Sequence, residues 1–338
     1  MTINEFKEKF YKIKGKTIAM VYIFEGDDES GFEHFFIWKA TILAPWMIAI
    51  QELHCMPLLL DVRTFVDKAM NKTLPHIDYV LNMNSGTYDL STMALVPATC
   101  SSIKVPCIPC DAVSIVTGEN KCLSNHIANS IGLQVPRSLH SNDPNGIFRP
   151  ISLGNSQGVK RGNATNASGI YQEFIQGYDI TTPVAYNIET ESMELLPSVL
   201  YLPDSKDINW FNGENEKKTR QGYSWVKAQL DFKIRQKYLD LVSTMNIRTF
   251  CRIDARVKSD RIAYSSTDVP LISAESIYFV EINVMPTIRE NNNFVFSFCS
   301  IDENSPFYNS VNAQKDFFGS ISINSFLLAS SMLGALSV

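Results

Sequence analysis

No excess of positive charge is present: 30 Lys and Arg stand against 35 Asp and Glu, a net charge of -5. A protein whose main task is to coat nucleic acid or anionic lipid is thereby excluded. Glycine and proline, 16 and 15 in 338 residues, are ordinary, which excludes collagen-like and low-complexity chains. The opening segment MTINEFKEKFYKIKGK lacks an apolar core, so no secretory leader is expected. The apolar run Ser325–Val338 is shorter than the roughly 20 residues of a spanning helix and is expected as a buried helix, with no membrane partner. Neither GxxxxGK[ST] nor a GxGxxG after the first strand occurs. Cys107-Ile-Pro-Cys110 has no second CxxC or paired His at zinc spacing, and reads as two small core residues on a strand. Seven cysteines without a leader fit free thiols in a reducing cytoplasm.

What is present is a core-forming composition, 45% hydrophobic and 19% charged. The length suggests two or three domains at roughly 150 residues each. Lys16–Phe24, Pro57–Val62 and His76–Met83 read as strands, with Ala40–Leu53 as a helix that Pro45 kinks or restarts. This beat implies an α/β layer, resuming at Val105–Ile108 and Ala112–Gly118. Lys121–Ser130 reads as a helix, and Gly146–Ile151, Ile170–Ile175 and Ile180–Ala185 as strands. The stretch Leu153–Ser168 is turn-rich. Asp204–Gly222 is a long polar segment with Lys217, Lys218 and Arg220, of the kind that is functional or disordered. The pattern over Ser224–Met245 predicts one long helix; Thr249–Val257 and Ser276–Val284 predict an antiparallel strand pair.

Three groups of residues suggest chemistry. On a strand, residues i and i+2 share a face, so Glu281 and Asn283 present two oxygen donors side by side, and Asp254 on the paired strand supplies a third. Oxygen donors of this kind, completed by phosphates, suit Mg²⁺. Arg252 shares the face of Asp254 and can stabilise anionic charge there. A surface ladder of cross-strand charges is the plain alternative. The Leu153–Gly162 loop, with glycines at 154, 158 and 162, can turn backbone N–H groups toward phosphate oxygens; a surface hairpin explains it as well. Lys121 and Arg149 flank that loop as two cations suited to a nucleoside triphosphate, or else are solvated surface charges.

Taken in order, Asn120-Lys121, Arg149-Pro150 with the glycine loop, Gln172-Glu173-Phe174-Ile175 with Gly177 and Asp179, Arg252-Ile253-Asp254, and Glu281-Ile282-Asn283-Val284-Met285-Pro286 resemble the motif series of ATP-grasp ligases. The D-alanine–D-alanine ligase family is the nearest resemblance, over nearly the whole chain and weakest before about residue 75. It implies an α/β ATP-grasp fold of three α/β domains, 1–108, 109–176 and 177–338, with ATP held between the central and C-terminal ones. The implied ATP contacts are Lys121, Arg149, Gly154, Asn155, Ser156, Gly158, Gln172, Glu173, Phe174, Ile175, Asp179 and Val280. Within that set, Arg149 stands where the family has a strand lysine. Gln172 stands where a Glu meets the adenine amine, and Asp179 where a Glu takes the ribose hydroxyls. Asp254, Glu281 and Asn283 match the magnesium ligands. Arg252, with Lys121 and Arg149, is the implied catalytic set.

The substrate end departs from the family. Where a Glu-Val-Ser segment holds the first substrate's amine, this chain has Glu33–Lys39, with Glu33 or Glu29 as substitutes, and Asn155 replaces a supporting serine. After Pro286, a Gly and Thr/Ser-rich stretch is replaced by Thr287-Ile288-Arg289-Glu290-Asn291-Asn292-Asn293, so Arg289, Asn292 and Asn293 join Arg252 as substrate contacts. The expectation is an ATP- and Mg²⁺-dependent carboxylate–amine ligase working through an acyl phosphate on substrates other than D-alanine. Its partners are a small-molecule carboxylate donor and an amine acceptor, with no nucleic acid; a homodimer is compatible with it. The alternatives are a tailoring ligase joining an amino acid to a mycosporine-like or peptide-antibiotic scaffold, and an ATP-binding regulatory protein without turnover.

Overall fold

The structure, a computed structural model, describes residues 1–23, 40–84, 90–140, 143–154, 156–162, 168–258, 269–290 and 292–336; the side chains of Ala40, Glu214 and Lys218 are also left aside. Glu29, Glu33 and the rest of Glu33–Lys39, together with Asn155 and Asn291, lie outside the described residues.

The chain opens with α1 (Ile3–Phe10), started by a capping box in which Thr2 and Glu5 satisfy each other's backbone N–H groups. Then follow β1 (Thr17–Tyr22), α2 (Ala40–Glu52), β2 (Met56–Asp61), α3 (Val62–Met70), β3 (Tyr79–Met83), α4 (Leu90–Ile103) and β4 (Cys107–Ile108). The four strands form a parallel sheet in the order β2-β1-β3-β4. Parallel neighbours cannot be joined by a tight turn, which is why helices α3 and α4 stand where the sequence pattern shows strands alone. Helix α3 starts directly from β2: Asp61 ends the strand and caps the helix by accepting from the Arg63 N–H. Ile18 and Met20 of β1 bury against α2 and the C-terminal helices, while Ala19 and Val21 bury against Leu60, Phe65 and Val96. Both faces of the sheet are therefore covered, as parallel sheets require.

Two helices, α5 (Ala112–Glu119) and α6 (Lys121–Ser130), meet at Asn120, whose side chain accepts from the N–H groups of Cys122 and Leu123. A three-stranded antiparallel sheet follows, β5 (Gly146–Pro150), β6 (Lys160–Arg161) and β7 (Gly169–Glu173), with β5 central. The rest is β8 (Gly177–Asn187), β9 (Ser192–Leu195), β10 (Ser198–Pro203), α7 (Glu214–Thr219), β11 (Tyr223–Leu230), α8 (Phe232–Thr244), β12 (Phe250–Lys258), β13 (Leu271–Ile272), β14 (Ile277–Asn283), α9 (Asn293–Cys299), α10 (Tyr308–Phe318) and α11 (Ile323–Ala335). Its strands build one sheet in the order β13-β11-β10-β8-β12-β14, with β9 added on β8.

The single helix expected over Ser224–Met245 is instead a strand and a helix. Val226, Ala228 and Leu230 turn toward the core with period two, and Asp231 stops the strand and caps α8 by accepting from the Ile234 N–H. Pairing of β11 with β10 decides for the strand, because a lone window of apolar residues is compatible with either period. The segment after β10 also holds a short helix, α7, rather than loop throughout. The apolar C-terminal run is helix α11, buried from Ile323 to Gly334 against α2 and β8. No single helix among the described residues is long and apolar enough to cross a membrane. Of the two cysteines expected as core residues on a strand, Cys107 opens β4 but is half-buried, and Cys110 is buried but lies just beyond the strand. Among the described residues no group of three His, Cys, Asp or Glu is placed to hold a metal.

Helices α5 and α6 both pack on β14. Gly118 makes that approach possible: a Cβ there would lie 2.5 Å from Val284 Cγ1. Gly118→Ala is expected to destabilise the protein by about 1–3 kcal/mol through overpacking. Urea denaturation of the variant, compared with wild type, measures it.

Candidate active site

The site is one face of the large sheet. Registers place Arg252 opposite Asn283 and Asp254 opposite Glu281 across β12 and β14. On the other side of β12, Asp254 faces Thr181 and Arg256 faces Asp179 of β8. Val199 of β10 faces Thr181, and Tyr201 of β10 faces Trp225 of β11. Period-two alternation therefore brings aromatic rings, two arginine–carboxylate pairs and a carboxylate–amide pair onto one surface.

A bulge interrupts β14. Asp254 pairs with Glu281 but Ala255 with Phe279, so Val280 is the extra residue. Its carbonyl is spared from the ladder and accepts from Arg149 Nη1 at 2.9 Å and from Asn125 Nδ2 at 3.2 Å. The other arm of Arg149, Nη2, lies 2.7 Å from Glu281 Oε2, and Lys121 Nζ approaches the same oxygen at 3.4 Å. Lys121 also donates to the Leu153 carbonyl at 2.8 Å, which ties the glycine loop to α6. Burial by itself would raise the Glu281 carboxyl. The charges of Lys121, Arg149, Lys217 and Arg252 outweigh it and hold the group well below the usual carboxylate range.

Asp254 accepts from Arg252 Nε and Nη2 at 2.9 and 2.7 Å, from Thr181 Oγ1 at 2.7 Å and from Asn283 Nδ2 at 2.8 Å. Arg256, not singled out by the motif spacing, donates to Asp179 Oδ1 at 2.7 Å and to the carbonyls of Ile175, Gly177 and Trp210, with its guanidinium 4.6 Å from the Phe174 ring centroid. Asp179 also accepts the Asn212 N–H at 2.7 Å, so its carboxylate organises the chain around it. The sequence signal for Arg256 was its position two residues beyond Asp254 on one strand face.

The described residues of the expected set line one cavity of about 780 Å³, with the exception of Gly158. That glycine has φ +68° and packs against Pro150; it serves the turn and stands off the cavity. Lys217 and Arg220 of the polar segment both line the cavity; Lys217 donates to Ser156 Oγ at 2.8 Å, while Ser156 donates to the Asn212 carbonyl. The glycine loop and the 204–222 segment thus touch each other. Burial holds the Lys217 ammonium below its ordinary value, with Glu281 acting in the opposite direction. Arg220 and Arg289 lie at the rim, Arg220 donating to the Glu290 carbonyl.

At the other end, Gln172 is buried, with Nε2 donating to Asn125 Oδ1 and the Pro136 carbonyl and Oε1 buried without a partner among the described residues. The Glu173 N–H is spent on the Arg137 carbonyl, and the Ile175 carbonyl on Arg256. Asn292 caps α9, accepting from the Val295 N–H and donating to the Thr287 carbonyl, so both ends of its amide are engaged. Asn293 is buried and donates to the Tyr201 hydroxyl.

Glu119, which the motifs leave out, also lines the cavity and accepts from the Val284 N–H at 3.1 Å. Burial pushes its carboxyl up to about 7, against the lowering influence of Lys121 and that hydrogen bond.

No family model and no curated protein sequence matches the chain. Among solved structures it is similar to the D-alanine–D-alanine ligase of Bacillus anthracis, with a TM-score of 0.58 at 14% identity over 96% of this chain and 98% of that one. The VanG D-Ala:D-Ser ligase of Enterococcus faecalis gives 0.58 at 12% identity over 95% and 100%. The Bacillus anthracis enzyme complexed with ATP gives 0.53 at 13% over 96% and 100%. At these identities the likeness is one of fold: the chain has the mixed α/β architecture of ATP-grasp D-alanine–D-alanine ligases along nearly its whole length.

Two outcomes are expected from these pairings. Glu281→Gln leaves Arg149 and Lys121 buried beside an uncharged partner, so the ligand-free protein should lose on the order of 3 kcal/mol, as broken buried ion pairs do. Inorganic triphosphate should restore part of that loss in a thermal-shift assay. An unchanged denaturation midpoint would contradict the pairing. For Glu119, the folded value lies above the unfolded 4.5, so the protonated form favours folding. That contribution is complete below about pH 4.5 and is lost as pH rises through about 7. Denaturation of the metal-free protein across this window should show a decline that Glu119→Gln abolishes.

Proposed function

We propose that the protein is an ATP-dependent carboxylate–amine ligase acting on small molecules other than D-alanine. The observation that carries this reading is the meeting of Lys121, Arg149 and Lys217 with Asp254, Glu281 and Asn283 in one cavity whose far end holds an unmatched amide oxygen. Three cations next to a glycine loop suit a polyphosphate. The Gln172 oxygen, buried and without a donor among the described residues, suits the exocyclic amine of adenine. Asp179, tied to Arg256, stands on the same wall for the ribose. The three-part division at 1–108, 109–176 and 177–338 goes with this reading, one sheet to each part.

Asp254, Glu281 and Asn283 would hold Mg²⁺. Two carboxylates and an amide oxygen are the hard oxygen donors that ion takes, and when bound it neutralises developing charge on the phosphates. In this reading Arg149, Lys121 and Lys217 orient the phosphate chain. Arg252, held against Asp254 by hydrogen bonds from Nε and Nη2, faces the carboxylate being activated and stabilises negative charge on its oxygen. The carboxylate oxygen takes the terminal phosphoryl group of ATP as ADP leaves; the amine then attacks the acyl carbon, loses a proton and displaces phosphate, and an amide remains. The contact between the glycine loop and the 204–222 segment through Ser156 closes the cavity over the nucleotide and keeps water from the acyl phosphate.

Release of phosphate from ATP that depends on both a carboxylate and an amine is the test. Lys217→Ala is expected to lower kcat by about 10²–10³, the scale for a lost charge-stabilising donor, while the variant still folds. D-alanine alone should release phosphate near background, and Arg289→Ala should raise KM for the acceptor more than KM for ATP. ATP binding with no phosphate release from any carboxylate–amine pair would favour a nucleotide-binding regulatory protein instead.

A further inference from the structure

The cavity continues past Arg252 into a wall of rings. Tyr201, Tyr223 and Trp225 stand on neighbouring strands β10 and β11, with centroids 5.6 Å apart for Tyr201–Tyr223, 6.3 Å for Tyr201–Trp225 and 6.4 Å for Tyr223–Trp225. All three line the cavity. Tyr201 is buried beside Arg252 and Asp254, which both influence its hydroxyl, while Tyr223 is next to Arg220 at the rim. The wall thus runs from the arginine of the reacting centre to the cations of the mouth. Two hydrogen-bonding atoms at this end of the cavity, Trp225 Nε1 in the wall and Asn293 Oδ1 on α9 facing it, are buried and have no partner among the described residues. Buried polar atoms are almost always matched, and because both residues line the cavity a ligand group seated beside them can complete them.

We propose that the substrate held beside Arg252 carries a flat ring with a polar substituent, its carboxylate toward Arg252 and its ring against Tyr201, Tyr223 and Trp225. This rests on the ligase reading above for the role of Arg252, but the ring preference is a binding property of its own. Ring faces and edges pack favourably on an aromatic wall, whereas a methyl side chain leaves it wet. A phenolic hydroxyl both donates and accepts, which suits Asn293 Oδ1 and Trp225 Nε1 together.

Calorimetry with D- and L-tyrosine, D- and L-phenylalanine and D- and L-alanine, each in the presence of Mg²⁺ and a non-hydrolysable ATP analogue, tests it. In one of the two chiral series, the expected order is tyrosine, then phenylalanine, then alanine, with about tenfold between the aromatic amino acids and alanine. Alanine binding as tightly as the aromatic ligands, or no binding by any of them, overturns the inference. Phenylalanine equal to tyrosine overturns its polar half. Trp225→Ala should reduce the ratio to near unity and Trp225→Phe should keep it; Tyr223→Ala gives the same reading should the first variant fail to fold. Ring-selective binding without phosphate release would sink the ligase reading and leave the ring site standing. Phosphate release with alanine-sized substrates and no ring preference would do the reverse.

Discussion

The Glu281 carboxylate is the constraint on which the rest of the site depends. It lies on the large sheet and pairs with the buried Arg149 on the small sheet and the buried Lys121 at the start of α6, so a single half-buried carboxylate ties three separate elements together. An unpaired charge in that setting would cost several kcal/mol, so the pairing constrains where the small sheet can sit. The second arm of Arg149 strengthens the constraint, because it needs the Val280 carbonyl and that carbonyl is available only through the bulge in β14.

The same pairing prepares the site for anions. Arg252 and Arg256 are each matched by a carboxylate, but Glu281 is shared between two cations, and the hydrogen bond of Lys217 goes to a hydroxyl. The local field around the glycine loop is therefore positive although the whole chain carries -5. A polyphosphate entering there meets donors already fixed by the fold, which is how binding groups avoid the entropy of being ordered on arrival.

At the substrate end, the residues that set the chemistry differ in kind from those at the phosphate end. Asn292, expected as a donor to substrate, is consumed in capping α9, and the next residue, Asn293, is the one turned toward Tyr201, with an oxygen unmatched among the described residues. Helix capping takes the first Asn because α9 needs an oxygen for its exposed N–H groups. The wall facing Asn293 is aromatic, built by Tyr201 of β10 and by β11, the strand hidden inside what the pattern presents as one helix.

Alternation along β12 and β14 was enough to put Arg252, Asp254, Glu281 and Asn283 on shared faces, because the period of a strand is a local property of its backbone. The order of the short motifs was likewise enough to indicate the fold, which the likeness to D-alanine–D-alanine ligases shows. Tertiary structure decided what pairs with what. The Val280 bulge, the bond of Lys217 to Ser156, the Glu119 carboxyl beside Val284 and the ring wall of Tyr201, Tyr223 and Trp225 all depend on which distant segments lie alongside. Strand or helix over 223–244 depended on it too: an apolar window fits either period, and only hydrogen bonding to β10 selected the strand.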